Sequence, residues 1–232
     1  MNSGILYIVA TPIGNLKDIT GRALDVLRGV DCILCEDTRI TAKLLNAYAI
    51  AAPTLSLHQH SSSIRFKEIL NLLLSGKNLA LVTDAGTPGI SDPGNLLIDF
   101  LLKQHPKLKI IPIPGPSAII TALSVSGMPT DKFYFAGFPP LKNKRNKFFQ
   151  ELSLIETTIV LYESTHRVLK TLSDLKNNVG DERKIMVARE LTKQFESIYR
   201  STVKEISNLI EKDSVKGEFV IVLEGKKKKQ FI

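Results

Sequence analysis

Short apolar runs alternate with amphipathic stretches along the first half of the chain, and this alternation constrains the fold most. Ile5 to Val9, Cys32 to Cys35, Leu55 to Leu57, Leu79 to Val82 and Lys109 to Ile111 read as strands. Between the first two, Ile19, Ala23, Val26, Leu27 and Val30 recur at helical spacing. Thr38 to Tyr48, with Thr38 as its N-cap, and Ile64 to Leu74 are helical as well. Asp92-Pro93 reads as an N-cap followed by proline at the first helical position, opening a helix through Leu101. Ser117 to Val125 is a further helix. Strands separated by helices pair in parallel through crossovers. The expected fold class is therefore α/β, with a mostly parallel N-terminal sheet carrying helices on both faces.

Met128-Pro129-Thr130-Asp131 breaks the pattern. Beyond it Phe133 to Ala136, Thr158 to Tyr162, Lys184 to Ala188, Glu196 to Arg200 and Phe219 to Leu223 read as strands. Lys142 to Leu152, Thr165 to Leu175 and Val203 to Leu209 read as helices. Some of these strands are separated by little more than a turn, so the second sheet is expected to be mixed. The expected domains are 1–127 and 128–225, two α/β lobes with a cleft between them, followed by a basic tail, 226–232.

The net charge is +8. It is unevenly spread: 11 basic and 9 acidic residues up to Pro116, then 20 and 14 beyond. The excess lies in Lys142, Lys144, Arg145 and Lys147 and in the run Lys226 to Lys229. A terminal lysine run is usually a solvated tail. A cluster after a Pro-Pro turn in mid-chain is the better candidate for an anionic partner. The two cysteines, Cys32 and Cys35, lie inside an apolar run and read as core residues rather than a redox or zinc pair. No apolar stretch reaches membrane-spanning length and the N-terminus lacks a signal-peptide pattern, so a cytoplasmic setting is expected.

Glycine and proline concentrate in loops that follow strands: Thr11 to Leu16, Asp84 to Gly94, Pro112 to Ala118 and Gly137 to Pro140. In a parallel sheet, the loops leaving the C-terminal strand ends line the ligand crevice. Glycine lets the backbone approach a ligand, and proline fixes the loop in advance. Neither G-x-G-x-x-G nor a P-loop is present, and Asp84 to Gly94 holds no lysine. A neutral or cationic ligand suits these loops better than a phosphate. Glu36-Asp37-Thr38-Arg39 adds charged groups at the same edge. Tyr162 to Arg167, Arg189 to Lys193 and Lys216 to Val220 do so in the second half. His58 and His60 form a close pair without a matching third ligand, so no metal is expected. No G-x-S-x-G motif points to a nucleophilic serine.

Taken in order, these seven motifs from Thr11 to Lys193 resemble the tetrapyrrole methylase superfamily. Within it they are most similar to the methyltransferases of small-subunit ribosomal RNA, over nearly the whole chain. One segment departs: Gln59 and Ser61 stand where that family usually has Glu and Asn. The resemblance implies a tetrapyrrole-methylase-like fold with S-adenosylmethionine bound in the cleft between lobes. It implies methyl transfer to the ribose 2′-hydroxyl of a cytidine at the decoding centre of 16S rRNA, in the small ribosomal subunit, by a homodimer. By motif position, the cofactor contacts are Pro12, Asp84, Gly86, Ile90, Ser117 and Ala118, with Glu163, Ala188 and Gly217 in the second half. Glu36, Asp37 and Lys193 are the candidates for the catalytic group. Arg39 and the cluster Lys142, Lys144, Arg145 and Lys147 are the candidates for RNA contact. Methylation of a small tetrapyrrole, and a non-catalytic RNA-binding role, are the rival readings.

Overall fold

The computed structural model describes residues 3–58 and 63–227. The chain divides into two compact units, 1–117 and 118–232. The first contains β1 (Ile5–Val9), α1 (Gly21–Gly29), β2 (Cys32–Cys35), α2 (Thr38–Ala47), β3 (Thr54–Ser56), α3 (Ser63–Leu74), β4 (Leu79–Leu81), α4 (Gly94–Gln104) and β5 (Lys109–Ile113). All five strands are parallel, in the order β3-β2-β4-β1-β5.

Handedness then decides which face each helix covers. The chain moves from β1 through β2 to β3 in one direction along the sheet. It then reverses through β4 to β5. Right-handed crossovers put α1 and α2 on one face and α3 and α4 on the other. The cores agree. Ala23, Leu27, Leu44 and Leu45 bury against Val9, Ile33, Cys35 and Val82, while Ile69, Leu73, Leu97 and Leu101 bury against Leu6, Leu34, Leu79 and Leu81. Cys35 joins the first core, and Cys32 packs on the second. Three residues along a strand separate their Cα atoms by about 10 Å. That exceeds the roughly 7 Å reach of a disulfide, and both cysteines are free.

One helix start differs from the sequence reading. Asp37, not Thr38, caps α2: its Oδ1 accepts from the Arg39 amide at 2.8 Å. Asp92 acts at the start of α4 as read: Pro93 already has helical backbone, and the Asp92 carboxylate accepts from the amide two residues on. The same carboxylate accepts from the amides of Gly89 and Gly94, both at 2.8 Å, and closes the preceding loop. At the start of α1, for which the sequence reading named no cap, Thr20 Oγ1 accepts from the Ala23 amide at 3.1 Å.

The second unit contains α5 (Ala118–Ser124), β6 (Phe133–Phe135), α6 (Arg145–Leu154), β7 (Thr158–Ser164), α7 (Val168–Val179), β8 (Lys184–Arg189), β9 (Ser197–Thr202), α8 (Ile206–Asp213) and β10 (Glu218–Leu223). Its sheet runs β6-β7-β10-β8-β9 and is mixed: β6 pairs with β7 in parallel, and the other pairs are antiparallel. Ile159, Leu161, Ile185, Val187, Phe219 and Ile221 form one core with α6, α7 and α8. Tyr162 alternates to the other face of the sheet, against Phe135 and Phe138. Because α5 packs on β10, it belongs to this unit, and the division falls at Ser117/Ala118 rather than at 127/128.

Candidate active site

A parallel sheet places every strand's C-terminal end at one edge, so the first unit brings its Gly/Pro loops together there. Thr11 and Gly86 exchange backbone hydrogen bonds at 2.9 and 3.1 Å, which joins the loops after β1 and β4. Thr87 Oγ1 donates to the Pro116 carbonyl at 3.3 Å, which brings in the loop after β5. Gly86 has φ +83°, and Gly115 lies so close to β1 that a Cβ there would meet Ala10 Cβ at 2.9 Å. Pro12, Asp84, Gly86, Ile90 and Ser117 all belong to this joined set of loops. Ile90 projects its side chain into solvent.

Beside these loops, at the ends of β3, β2 and β4, an open groove of about 650 Å³ is lined by Glu36, Asp37, Arg39, Ser56, His58 and Asp84 among others. Chain neighbours behave differently in it. Asp37 is committed: its carboxylate takes the Arg39 amide and, at 3.0 and 2.6 Å, two guanidinium nitrogens of Arg39. Those bonds hold it well below the usual carboxylate range. Glu36 is pushed up instead, first by burial and then by repulsion from Asp84 and Asp92, with Thr83 and His58 opposing. Asp84 is also raised, mainly by burial, although it accepts from the Asp37 amide at 3.1 Å. The groove thus holds two carboxylates, Glu36 and Asp84, shifted toward the protonated form beside one exposed arginine. Sequence reasoning overlooked Ser56, which reaches the groove because β3 ends at the same edge. His60, weighed as a metal ligand with His58, and Gln59 and Ser61 lie outside the described residues.

In the second unit, Glu163 is 2% exposed. Its carboxylate accepts from Thr171 Oγ1 at 2.6 Å and the Ser164 amide at 2.8 Å, and pairs with Arg167 Nε at 2.9 Å. The Glu163 carboxylate is thus spent inside the unit. Ala188 lies in mid-sheet, between Val220 and Ile198. Gly217 has φ +128° and exchanges hydrogen bonds with the Thr165 hydroxyl at 2.7 and 2.8 Å. Lys193 Nζ lies 3.0 Å from both Glu190 Oε1 and Glu218 Oε2. Burial pulls the Lys193 ammonium down, but these carboxylates outweigh it and raise it. Lys193 is therefore held as a cation. Glu190 and Thr192 adopt left-handed backbone at φ 51° and 66°, a concentration of strain in this loop.

The basic cluster is not uniform. Lys142, Lys144 and Lys147 are exposed, with Lys147 3.8 Å from Glu151. Arg145 is 6% exposed. Its guanidinium is spent on Asp174 at 2.7 Å, the Pro140 carbonyl at 2.9 Å and Thr171 Oγ1 at 2.8 Å. This corrects the sequence reading of Arg145 as an RNA contact. At the start of a helix, an arginine can point at the core as readily as at solvent, and only packing shows which.

Comparison with known proteins identifies the family. The family model described as Tetrapyrrole (Corrin/Porphyrin) Methylases matches residues 5–207. The chain is 48% identical to the ribosomal RNA small subunit methyltransferase I of Synechocystis sp. over 96% of this chain and 79% of that protein. It is 47% identical to that of Thermotoga maritima, over 96% of this chain and 99% of the relative. A solved cobalt precorrin-4 methyltransferase matches with a TM-score of 0.69 at 19% identity, covering 95% of this chain and 94% of that one. A diphthine synthase matches with a TM-score of 0.73 at 11% identity, over 95% and 90%. These two share the fold. Parallel sheet, mixed sheet, Gly/Pro loops and full-length similarity converge: the chain belongs to the tetrapyrrole (corrin/porphyrin) methylase family, within the group of ribosomal RNA small subunit methyltransferase I.

Proposed function

We propose that this S-adenosylmethionine-dependent methyltransferase modifies the ribose 2′-hydroxyl of a cytidine in 16S rRNA, cytidine 1402 at the decoding centre. The observation that carries the acceptor class is the full-length match, at 48% identity, to a protein named for small-subunit rRNA. A solved cobalt precorrin-4 methyltransferase and a solved uroporphyrin-III-C-methyltransferase share only 19% and 17%.

The residues fit the cofactor. When bound, it supplies a methyl group on a positively charged sulfonium. Asp84 to Gly94 contains two carboxylates and no basic residue, and its backbone is joined to the loops after β1 and β5. Such a cradle suits a cation recognised through amide-like edges. Pro12, Asp84, Gly86, Ile90 and Ser117, all in the first unit, would hold it.

The reaction needs a ribose oxygen freed of its proton and aligned; alignment alone is worth up to roughly 7–11 kcal/mol in ideal intramolecular cases. In our assignment Glu36 accepts that proton. It lines the groove and is disposed to take up a proton. Asp37 orients Arg39, which presents its remaining donors to a backbone phosphate. Lys193 acts as a fixed cation rather than a base. The enzyme would work as a cytoplasmic homodimer, as the resemblance implies.

The test incubates the purified chain with labelled S-adenosylmethionine and either small ribosomal subunits lacking the modification or a porphyrinoid. Label is expected in 16S rRNA as 2′-O-methylcytidine. Label in the porphyrinoid alone, or in neither, would sink the reading.

A further inference from the structure

The Gly137-Phe138-Pro139-Pro140 turn is held by more machinery than a surface turn requires. The Gly137 carbonyl accepts from the Tyr162 amide at 3.0 Å. The Pro139 carbonyl accepts from Arg167 Nη1 at 3.2 Å, and the Pro140 carbonyl from Arg145 Nη1 at 2.9 Å. The two arginines come from different helix starts, yet they converge on one acid. Arg167 pairs directly with Glu163, and Arg145 reaches it through Thr171 Oγ1. Burying an acid and most of two guanidinium groups is costly in solvation, and apolar packing would often serve stability as well. What this network does achieve is to fix two carbonyls of one turn, beside the one that the Tyr162 amide holds.

The turn's product is the position of one ring. Phe138 is 50% exposed. Its inner side rests against Tyr162, with ring centroids 5.4 Å apart, and the Arg167 guanidinium lies over it at 5.8 Å from the centroid. The ring is thus held in place but not buried. Leu141, also exposed, follows, and then the exposed lysines 142 and 144. A fixed aromatic beside exposed cations is the combination that binds single-stranded nucleic acid: the ring stacks on a base while lysines meet phosphates.

We propose that Phe138 is a stacking platform for an unpaired base of the RNA substrate, held in place by the Glu163–Arg167 and Thr171–Arg145 bonds to its turn. This rests on the ribosomal RNA reading above and adds a specific contact to it. Glu163, Arg145 and Arg167 become positioning residues for that contact.

The test measures steady-state methylation of small ribosomal subunits lacking the modification by the full chain and by Phe138→Ala, Phe138→Leu and Phe138→Trp. Stacking predicts that KM for subunits rises about tenfold in the Ala and Leu variants, with a much smaller change in kcat. Trp should hold KM near the parent value, because it restores a π-face. Cofactor affinity by calorimetry and the thermal midpoint should be unmoved in all three, which a merely structural role would not allow. An unchanged KM in Phe138→Ala overturns the proposal. So does Leu rescuing as well as Trp, which would mark an apolar contact with a ribosomal protein. If the parent chain itself fails to methylate subunits, the functional reading falls. If the parent is active and the variants match it, only the stacking role falls.

Discussion

Glu36 and Asp37 adjoin in the chain, yet their surroundings give them opposite proton affinities. Asp37 follows β2, facing the first amides of α2 and Arg39, so its charge is neutralised where it stands. Glu36 faces Asp84 and Asp92 from a half-buried position. Glu36→Gln should abolish methyl transfer while cofactor binding by calorimetry survives; a fully active variant would remove the assignment. The pH dependence follows in sign. Only the ionised carboxylate can accept a proton, and its pKa lies above the ordinary 4.5. Activity at saturating cofactor should therefore fall with acidification at a higher pH than an ordinary glutamate would give. Asp84→Asn removes a repelling charge and should shift that limb to lower pH; a limb that stays put or rises would contradict it. Arg145 and Lys142 supply a second residue-scale contrast. Arg145→Ala leaves Asp174 and two polar groups without their partner and should cost on the order of 3 kcal/mol in chemical denaturation. Lys142→Ala should stay within about 0.5 kcal/mol.

Among the elements, the loops matter more than the strands they follow. The strands could be read from their apolar runs because a parallel strand is buried on both faces and has little choice of residue. The loop that closes on Gly115 is different. Its backbone lies against Ala10, leaving no room for a side chain. Gly115→Val should push this loop off β1 and weaken S-adenosylmethionine binding at least tenfold by calorimetry, with the two sheets retained by circular dichroism. Parent affinity in that variant would show that the loop plays no part in the cradle. The sequence announced that glycine and proline cluster here. It did not announce that Thr11 and Gly86 bond or that Asp92 ties Gly89 to Gly94, because such pairings depend on strand order and on the path of the loop. The same limit explains the cap of α2, where either Asp37 or Thr38 could have reached the free amides.

For the whole molecule, net charge becomes meaningful only once the buried share is removed. Three exposed lysines at 142, 144 and 147 remain from a cluster of four basic residues. Replacing all three with alanine should weaken subunit binding and make its salt dependence shallower, by about 0.7–0.9 in log–log slope for each phosphate that is no longer neutralised. Cofactor affinity should not change, and an unaltered slope would return the lysines to ordinary surface. No helix among the described residues is long and apolar enough to cross a membrane. The alternation of apolar runs with amphipathic helices determined, by itself, an α/β chain with one parallel and one mixed sheet. Ordered motifs alone carried the family resemblance, because burial and tight turns restrict residue choice locally and leave a linear record. Tertiary structure alone decided which charges are available. It spent Arg145 and Glu163 on each other's neighbourhood, gave Asp37 to Arg39, locked Lys193 between two acids and left Glu36 able to take a proton. Desolvation and ion pairing act between groups distant in the chain, so no local pattern can reveal them.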